Sequence, residues 1–161
     1  MSTKNKIVSV EELKKKLKQL KSEGKTIAFT NGCFDILTAG HVDYLEKAKK
    51  DDRILIVGLN SDASVRKLKG NERPIVKQDM RAAVLAALAC VDFVVLFNED
   101  TPQKLIAELK PDVLIKGGDY KGKEIVGSKE VIENGGRVEI IPITVNTSTS
   151  DIIKIVQSKS K

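Results

Sequence analysis

Residues 26–41 read TIAFTNGCFDILTAGH, an apolar run that passes into a short segment containing two glycines. The run over 26–30 predicts a buried strand, and a helix is expected to begin near Val42. Gly32 and Gly40 allow backbone N–H groups to approach an anion closely, and the N-terminus of the helix adds about half a positive charge. The stretch therefore predicts a strand, a phosphate-binding loop and a helix in succession.

Apolar runs and helical patterns alternate along the rest of the chain. The predicted strands are 54–59, 93–97, 113–115 and 138–141, and the predicted helices are 42–49, 80–89, 101–109, 128–133 and 148–156. Pro102 is expected at the first helical position of 101–109, and Lys110-Pro111 is expected to end that helix. The alternation predicts an α/β fold with a Rossmann-like parallel sheet and helices on both faces.

A length of 161 residues fits one domain, which we expect to span 1–161. Within it, 1–25 is predicted to form an N-terminal amphipathic basic helix, because Ser9 and Glu12 have capping-box spacing and apolar residues recur every three or four positions. Residues 26–161 are the expected catalytic body. The polar connection between Lys67 and Gln78 is too long for a simple link and is predicted to be a lid or binding loop.

The net charge of +6 is concentrated at the N-terminus. Residues 1–25 carry eight lysines and three glutamates, a balance of +5, which leaves a balance of +1 for 26–161. Aromatic residues make up 4% of the chain, with no tryptophan, so stacking platforms for single-stranded nucleic acid are few. The charge distribution therefore argues against nucleic acid as a partner, and the lysine-rich face is expected to be solvated.

Other classes of protein are also disfavoured by the sequence. No apolar run approaches the roughly 20 residues that span a bilayer, and no apolar segment of the kind found in secretion signals follows the charged N-terminus. Cys33 and Cys90 lack C-x-x-C spacing and are predicted to be reduced thiols. We therefore expect a cytoplasmic protein that does not associate with membranes.

Two common phosphate-binding motifs are not matched. No G-x-G-x-x-G follows a predicted strand. The segment GGDYKGK at 117–123 approaches a Walker A loop, but Glu124 stands where Ser or Thr would bind Mg²⁺, and its carboxylate would repel phosphate. The better candidate remains the loop at 31–41, in which His41, the only histidine of the chain, is predicted to be functional.

The segment 31–41 resembles the H/T-x-G-H signature of the cytidylyltransferase-like nucleotidyltransferases. Further segments are similar to the adenylyltransferases that act on D-glycero-β-D-manno-heptose 1-phosphate: 60–66, 68–70, 73–75, 81–85, 99–102, 116–120 and 125–127. The resemblance covers roughly 9–157. It implies transfer of AMP from ATP to the sugar 1-phosphate, which gives ADP-heptose and pyrophosphate for lipopolysaccharide core synthesis. It also implies Mg²⁺ bound through ATP oxygens, with no protein ligand to the metal.

One residue departs from the pattern that the resemblance implies. Heptose adenylyltransferases commonly have His where this chain has Thr38, although the wider superfamily accepts threonine there. The threonine hydroxyl can donate a hydrogen bond to a phosphate oxygen, but it cannot carry the positive charge of an imidazolium. We therefore expect an active enzyme with an altered pH dependence.

The implied reaction is an in-line attack of the sugar phosphate on the α-phosphorus of ATP, without a covalent enzyme intermediate. By resemblance, Thr38 and His41 are the expected catalytic residues, which stabilise charge around the α- and β-phosphates. The residues expected to bind ATP are Asn31, Gly32, Cys33, Phe34, Gly40, His41, Asn60, Asp62, Lys116, Thr147, Ser148 and Thr149. The residues expected to bind the sugar phosphate are Asp35, Lys69, Arg73, Arg81, Gly118 and Asp119.

Several of these residues also have simpler explanations. Ser61 or Asp62 can cap a helix, and Ser148 has capping-box spacing with Asp151. Lys69, Arg73 and Arg81 can be surface charges. The segment 116–119 can be a plain turn. Cys33 is expected to fit the turn as a small residue and not to act as a nucleophile.

Two other functions stay open at this stage. One is a cytidylyltransferase that acts on glycerol 3-phosphate or a similar alcohol phosphate. The other is a non-catalytic nucleotide- or RNA-binding module, which only Thr38 and the basic N-terminal helix favour. The segments 116–120 and 73–74 favour the adenylyltransferase. A homodimer is expected, because two-fold dimers are the commonest oligomers.

Overall fold

The computed structural model describes residues 2–50, 52–118, 124–144 and 149–159. The helices are α1 (Thr3–Lys6), α2 (Val10–Ser22), α3 (Ala39–Ala48), α4 (Asp62–Lys69), α5 (Gln78–Ala87), α6 (Gln103–Leu109), α7 (Ser128–Glu133) and α8 (Thr149–Lys159). The strands are β1 (Ile27–Gly32), β2 (Ile54–Asn60), β3 (Phe93–Phe97), β4 (Val113–Gly117) and β5 (Arg137–Ile141).

The five strands form one parallel sheet in the order β3-β2-β1-β4-β5. The predicted Rossmann-like α/β fold is therefore confirmed. The direction of strand addition reverses at β1, because β2 pairs with one edge of β1 and β4 with the other. In open parallel sheets such a reversal leaves a crevice beyond the carboxyl ends of the two strands, and ligands bind there.

Alternate residues of the strands point to opposite faces of the sheet, and each face is covered by helices. On one face Ala28 of β1 packs in a cluster with the helical residues Leu45, Ala48, Ala82, Leu85 and Ala86. On the other face Ile27 and Phe29 pack in a cluster with Leu13, Leu17, Leu105, Ile106, Leu109 and Val131. Strands β1 to β4 are largely buried on both sides, which explains why their sequences are mostly apolar runs. The edge strand β5 is mostly exposed or half-buried, and its sequence includes Arg137 and Glu139.

The N-terminal region holds two helices where the sequence predicted one. The predicted capping box is present, since Glu12 N–H donates to Ser9 Oγ at 3.2 Å and Ser9 N–H donates to Glu12 Oε2 at 3.0 Å. Before it, α1 is a separate short helix. Its Lys6 amino group donates to the carbonyl oxygens of Leu88 and Val91 at 3.0 and 2.7 Å. This lysine therefore attaches the N-terminus to the body.

The sequence analysis predicted no helix at 62–69, where α4 lies, and placed the starts of several helices wrongly. The helix expected to begin near Val42 begins at Ala39. Gly40 and His41 therefore lie in its first turn. Helix α4 is largely polar, and Val65 is its one fully buried apolar side chain, so it has little apolar periodicity. The polar connection consequently shortens to 70–77. Pro102 is the N-cap of α6 and not its first helical residue. The predicted end of that helix is confirmed by Lys110, which adopts a left-handed conformation with φ of 47°.

Within the part of the chain that the structure describes, no helix has both the length and the apolar character required to cross a membrane.

A buried ion pair joins β5 to the residue that precedes β2. Arg53 donates from Nη1 to Glu139 Oε2 at 2.9 Å and from Nη2 to Oε1 at 2.6 Å. These hydrogen bonds lower the pKa of Glu139 from 4.5 to about 2. Because folding lowers this pKa, the pair stabilises the fold fully above pH 4.5, and the contribution is lost as the pH falls toward 2.

We expect Glu139→Gln to lower the free energy of unfolding at pH 7 by about 2–3 kcal/mol. The difference from the parent protein should narrow as the pH falls below 4.5, which urea denaturation at several pH values measures. Glu133→Gln is the control, because Glu133 is exposed and its i,i+4 pair with Lys129 contributes less than about 0.5 kcal/mol. A destabilisation by Glu139→Gln that did not depend on pH would contradict the prediction.

Candidate active site

A cavity of about 530 Å³ opens beyond the carboxyl ends of β1 and β4, where the strand order reverses. The sequence-predicted site residues that line it are Asn31, Gly32, Cys33, Phe34, Asp35, Thr38, Gly40, His41, Lys69, Arg73, Lys116 and Thr149. Tyr44 and Ile143 also line the cavity and were not predicted. Tyr44 was within reach of sequence reasoning, because it lies one helical turn after His41 on the same face of α3.

The loop between β1 and α3 makes a tight turn into the cavity. Phe34 has a φ of 44°, a left-handed conformation that non-glycine residues rarely adopt. A Cβ on Gly32 would lie 2.9 Å from the ring of Phe34, so a larger residue here would displace that ring. The turn places the Phe34 ring beside His41, with 5.4 Å between the ring centroids.

The start of α3 holds the two predicted catalytic side chains against each other. Thr38 is the N-cap, and its backbone N–H donates to Nδ1 of His41 at 3.1 Å. Thr38 Oγ1 lies 3.0 Å from the same nitrogen. An N–H donor that faces Nδ1 requires Nδ1 to carry no proton, so the ring proton of neutral His41 is on Nε2. Burial lowers the pKa of His41, which favours this neutral form.

The end of β4 contributes a buried amino group. Lys116 Nζ donates a hydrogen bond to Oδ1 of Asn31, at the end of β1. Burial lowers the pKa of Lys116 to about 8, so the amine is still mostly protonated at pH 7. Among the residues that the structure describes, no carboxylate forms an ion pair with Lys116. A partly desolvated cation with a neutral partner is suited to bind an anion.

The connection 70–77 adds Arg73 to the cavity. Arg73 Nε donates to Oδ2 of Asp35 at 2.6 Å, and the backbone N–H groups of Ile75 and Val76 donate to the same carboxylate at 3.0 and 2.8 Å. Burial alone raises the pKa of Asp35, but these hydrogen bonds outweigh it and leave the pKa below its ordinary value. Asp35, which we expected to bind sugar hydroxyls, is thus an anchor for this connection.

Arg81 requires a correction, because it does not line the cavity. Its side chain is 0% exposed. Nε donates to Val76 O at 2.8 Å, Nη1 to the carbonyl oxygens of Cys33 and Asn60 at 2.6 and 2.9 Å, and Nη2 to Asp62 Oδ1 at 2.7 Å. With all three nitrogens bonded to protein oxygens, the guanidinium links segments of the fold and does not contact a sugar phosphate.

Asn60 and Asp62 also lie outside the cavity. Asn60 Nδ2 donates to the buried Ser64 Oγ at 2.9 Å, and Asp62 pairs with Arg81. Ser61 is the N-cap of α4, as the simpler explanation proposed, because its hydroxyl accepts a hydrogen bond from Ser64 N–H at 3.2 Å. Both expected ATP ligands therefore serve the local structure at the end of β2.

The remaining predicted residues lie at the ends of β4 and β5. Gly118 is not among the lining residues; its N–H donates to Ile141 O at 3.0 Å, and its φ of 107° lies in the region that favours glycine. Thr149 lines the cavity and donates from Oγ1 to Ile36 O at 2.8 Å. Three predicted residues lie outside the described ranges: Asp119, Thr147 and Ser148.

Cys33 lines the cavity as a thiol and not as a thiolate. Burial raises its pKa above the ordinary value of 9.0, and this effect outweighs the neighbouring cations. Because the thiolate is the nucleophilic form, the raised pKa argues against covalent catalysis by Cys33. The interpretation of Cys33 as a small residue of the turn is consistent with this environment.

The sequence profile of the cytidylyltransferase-like proteins matches residues 29–155, which include every strand of the sheet except the first two residues of β1. The chain belongs to the cytidylyltransferase-like family. It is 53% identical over 156 residues to the bifunctional protein HldE of Geotalea uraniireducens (strain Rf4), which covers 96% of this chain and 32% of that protein. The chain thus spans about a third of the length of the curated relatives it matches.

Two solved structures place the cytidylyltransferase-like chain among known folds. The lipopolysaccharide core biosynthesis protein from Thermoplasma volcanium GSS1 aligns with a TM-score of 0.60 and 31% identity, over 76% of this chain and 98% of that one. The pantoate-beta-alanine ligase from Francisella tularensis, solved with beta-gamma ATP and beta-alanine, aligns with a TM-score of 0.62 over 96% of this chain and 78% of that one. At 14% identity, the second likeness shows the fold alone.

Proposed function

We propose that this chain is an adenylyltransferase that transfers AMP from ATP to D-glycero-β-D-manno-heptose 1-phosphate, giving ADP-heptose and pyrophosphate for lipopolysaccharide core synthesis. The observation that carries the proposal is the cavity at the strand reversal, which is lined both by neutral His41 at the start of α3 and by the buried amine of Lys116. The similarity of the chain to proteins named bifunctional protein HldE and lipopolysaccharide core biosynthesis protein supports the choice of sugar.

In the proposed reaction an oxygen of the sugar phosphate attacks the α-phosphorus of ATP, and the bond to the β-phosphate bridging oxygen breaks as pyrophosphate leaves. The attacking oxygen is already ionised at neutral pH, so no general base is required. Catalysis then consists of positioning and of stabilising negative charge as it moves toward the β-phosphate. Nε2–H of His41 supplies a directed donor, and Lys116 supplies positive charge.

Mg²⁺ enters this proposal as part of the MgATP substrate. Across the described ranges, no three His, Cys, Asp or Glu side chains converge as a group of metal ligands. Asp35, a carboxylate that lines the cavity, is occupied by Arg73 and by two backbone N–H groups. Mg²⁺ retains several waters and binds readily through phosphate oxygens, so ATP itself is the proposed ligand.

Two further parts of the proposal rest on general grounds. The cytoplasm is the proposed location, because it supplies ATP. A homodimer is the proposed assembly, since two-fold dimers are the commonest oligomers of soluble proteins. Sedimentation equilibrium of the purified chain tests whether it forms a homodimer.

Pyrophosphate release tests the proposed function. ATP and CTP are each combined with the heptose 1-phosphate, other sugar 1-phosphates and glycerol 3-phosphate. We expect kcat/KM to be highest for ATP with the heptose 1-phosphate, by about 100-fold or more over the other pairs, the discrimination that a site hydrogen-bonded to its substrate achieves. Preference for CTP with glycerol 3-phosphate would identify a cytidylyltransferase. Nucleotide binding without turnover on any acceptor would identify a non-catalytic module.

Thr38 offers a prediction about how His41 is held. Thr38→Val removes the hydroxyl 3.0 Å from Nδ1 but retains the backbone N–H that sets the tautomer. We expect kcat to fall about tenfold with little change in the KM for ATP, the scale of one lost hydrogen bond. Thr38→Ser keeps the hydroxyl and should stay near parental activity. Unchanged kinetics in Thr38→Val would show that position 38 only packs.

A further inference from the structure

Both backbone groups of Val76, a residue outside helices and strands, are held by buried charged side chains. Its N–H donates to Asp35 Oδ1 at 2.8 Å, and its carbonyl oxygen accepts from Arg81 Nε at 2.8 Å. The side chains of Asp35 and Arg81 are 1% and 0% exposed. Connections on a protein surface usually satisfy such groups with water, so two buried ions on one peptide segment indicate a dedicated anchor.

The same two side chains bind other segments of the fold. Asp35 lies in the loop after β1, and Arg81 reaches the carbonyl oxygens of Cys33 in that loop and of Asn60 at the end of β2. Val76 is thereby attached to the carboxyl ends of two adjacent strands. These strand ends form the rigid edge of the sheet from which the cavity opens.

The upstream part of the connection carries the group that faces the cavity. Arg73 lines the cavity, and its Nε is bonded to Asp35. The remaining guanidinium donors, on the two Nη nitrogens, suit the geometry of a phosphate group. At the start of the connection, Gly70 has a φ of 97°, and a Cβ added there would have no atom within 4 Å, so this end borders open space.

We propose that Asp35 and Arg81 are positioning residues that clamp Val76 and so hold the Arg73 guanidinium in the cavity, where it binds the phosphate of the acceptor sugar. The assignment of the acceptor rests on the proposed function. In the proposed reaction the two groups that act on ATP are Lys116 on β4 and His41 at the start of α3, and among the described residues neither is hydrogen-bonded to Asp35 or Arg81. Loss of the clamp should therefore affect the acceptor more than ATP.

Asparagine at position 35 cannot replace this carboxylate. The carboxylate accepts three donors and neutralises Arg73, whereas an amide presents one acceptor oxygen and directs an NH₂ group at a donor. Asp35→Asn should raise the KM for the acceptor about tenfold or more, because the charge-assisted contact between Arg73 and the acceptor phosphate is misplaced. The KM for ATP should stay within about twofold of the parent value. Amide exchange at Ile75 and Val76 should accelerate about tenfold or more.

Arg81→Lys gives a second route to the same conclusion. A lysine retains the charge but has one nitrogen, which cannot reach Val76 O, Asn60 O and Asp62 together. We expect a raised KM for the acceptor, a nearly unchanged KM for ATP and faster amide exchange around Val76. Asp79→Asn is the matched control, because Asp79 is exposed three residues beyond Val76, and neither readout should change.

Hydrogen exchange and steady-state kinetics of the full chain together decide the inference. Unprotected Ile75 and Val76 amides in the parent protein, or unchanged exchange in both variants, would overturn the clamp. A fall in kcat with both KM values unchanged would show that the residues only maintain the fold, and would also overturn it. If the parent protein turns over no acceptor, the proposed function fails, and the exchange data alone decide whether the clamp exists.

Discussion

We expect His41→Ala to lower the turnover number of the proposed adenylyl transfer about 100- to 1000-fold, the usual cost of one transition-state donor, and to leave the fold intact. The reason is the geometry at the start of α3. Nδ1 accepts the Thr38 N–H at 3.1 Å, so the ring is fixed in the tautomer that donates from Nε2. Steady-state kinetics with ATP and the heptose 1-phosphate measure the loss, and circular dichroism checks the fold.

The same geometry predicts an acid limb in the pH profile. Burial lowers the pKa of His41 below 6.5, so the neutral ring persists through neutral pH. As the pH falls below that pKa, protonation of Nδ1 removes the acceptor of the Thr38 N–H and turns the ring away from its position. We expect the kcat of the parent protein to fall as the pH is lowered. The pH profile of His41→Gln should lack this acid limb. Turnover of His41→Ala within about threefold of the parent would contradict the role, since a lost transition-state donor costs far more.

Lys116→Met is expected to lower kcat/KM for ATP about 100-fold, because a charge-assisted hydrogen bond to phosphate contributes up to about 3 kcal/mol. The methionine side chain fills the same space between β1 and β4 without a charge. Lys104→Met is the matched control, since Lys104 is 70% exposed and pairs only at the surface with Glu99. A loss of similar size in both variants would contradict a specific role for Lys116.

The lowered pKa of Lys116 gives this prediction a second readout. In the free protein the amine loses its proton near pH 8, so kcat/KM for ATP should fall as the pH rises through that value. Bound phosphate favours the protonated form, which moves the decline in kcat to higher pH. The alkaline limb of kcat/KM should be absent from Lys116→Met. Its persistence in that variant would assign the limb to another group.

Local signals were sufficient to predict most of the elements and the turn that connects β1 to α3. The capping box of Ser9 and Glu12 and the helix end at Lys110 depend on residues three or four apart, which sequence spacing reveals directly. The strands β2 and β3 were visible as apolar runs because both faces of a parallel sheet are buried. The exceptions were α1, which was not separated from α2, and α4, whose polar sequence hides the burial of a single valine.

The roles of the charged residues could not be predicted from local sequence signals. Arg73 and Arg81 are eight positions apart and were given the same role from their residue type, yet one lines the cavity and the other is buried. The difference depends on carbonyl oxygens that are distant in sequence, such as Cys33 O, 48 residues from Arg81. The hydrogen bonds that anchor Asp35 were hidden for the same reason, since its partners lie 38 to 41 residues away.

The element order, the glycine-bearing turn at 31–41 and the family follow from the amino-acid sequence alone, because they arise from neighbouring residues and from the alternation of apolar segments. The assembled sheet determines which lysine and arginine side chains line the cavity and which support the fold. Pairing of β1 with β4 brings Asn31 and Lys116 together across 85 residues of chain, and no local pattern encodes that contact. A buried charge is stable only where its partners converge, and they converge only in the folded protein.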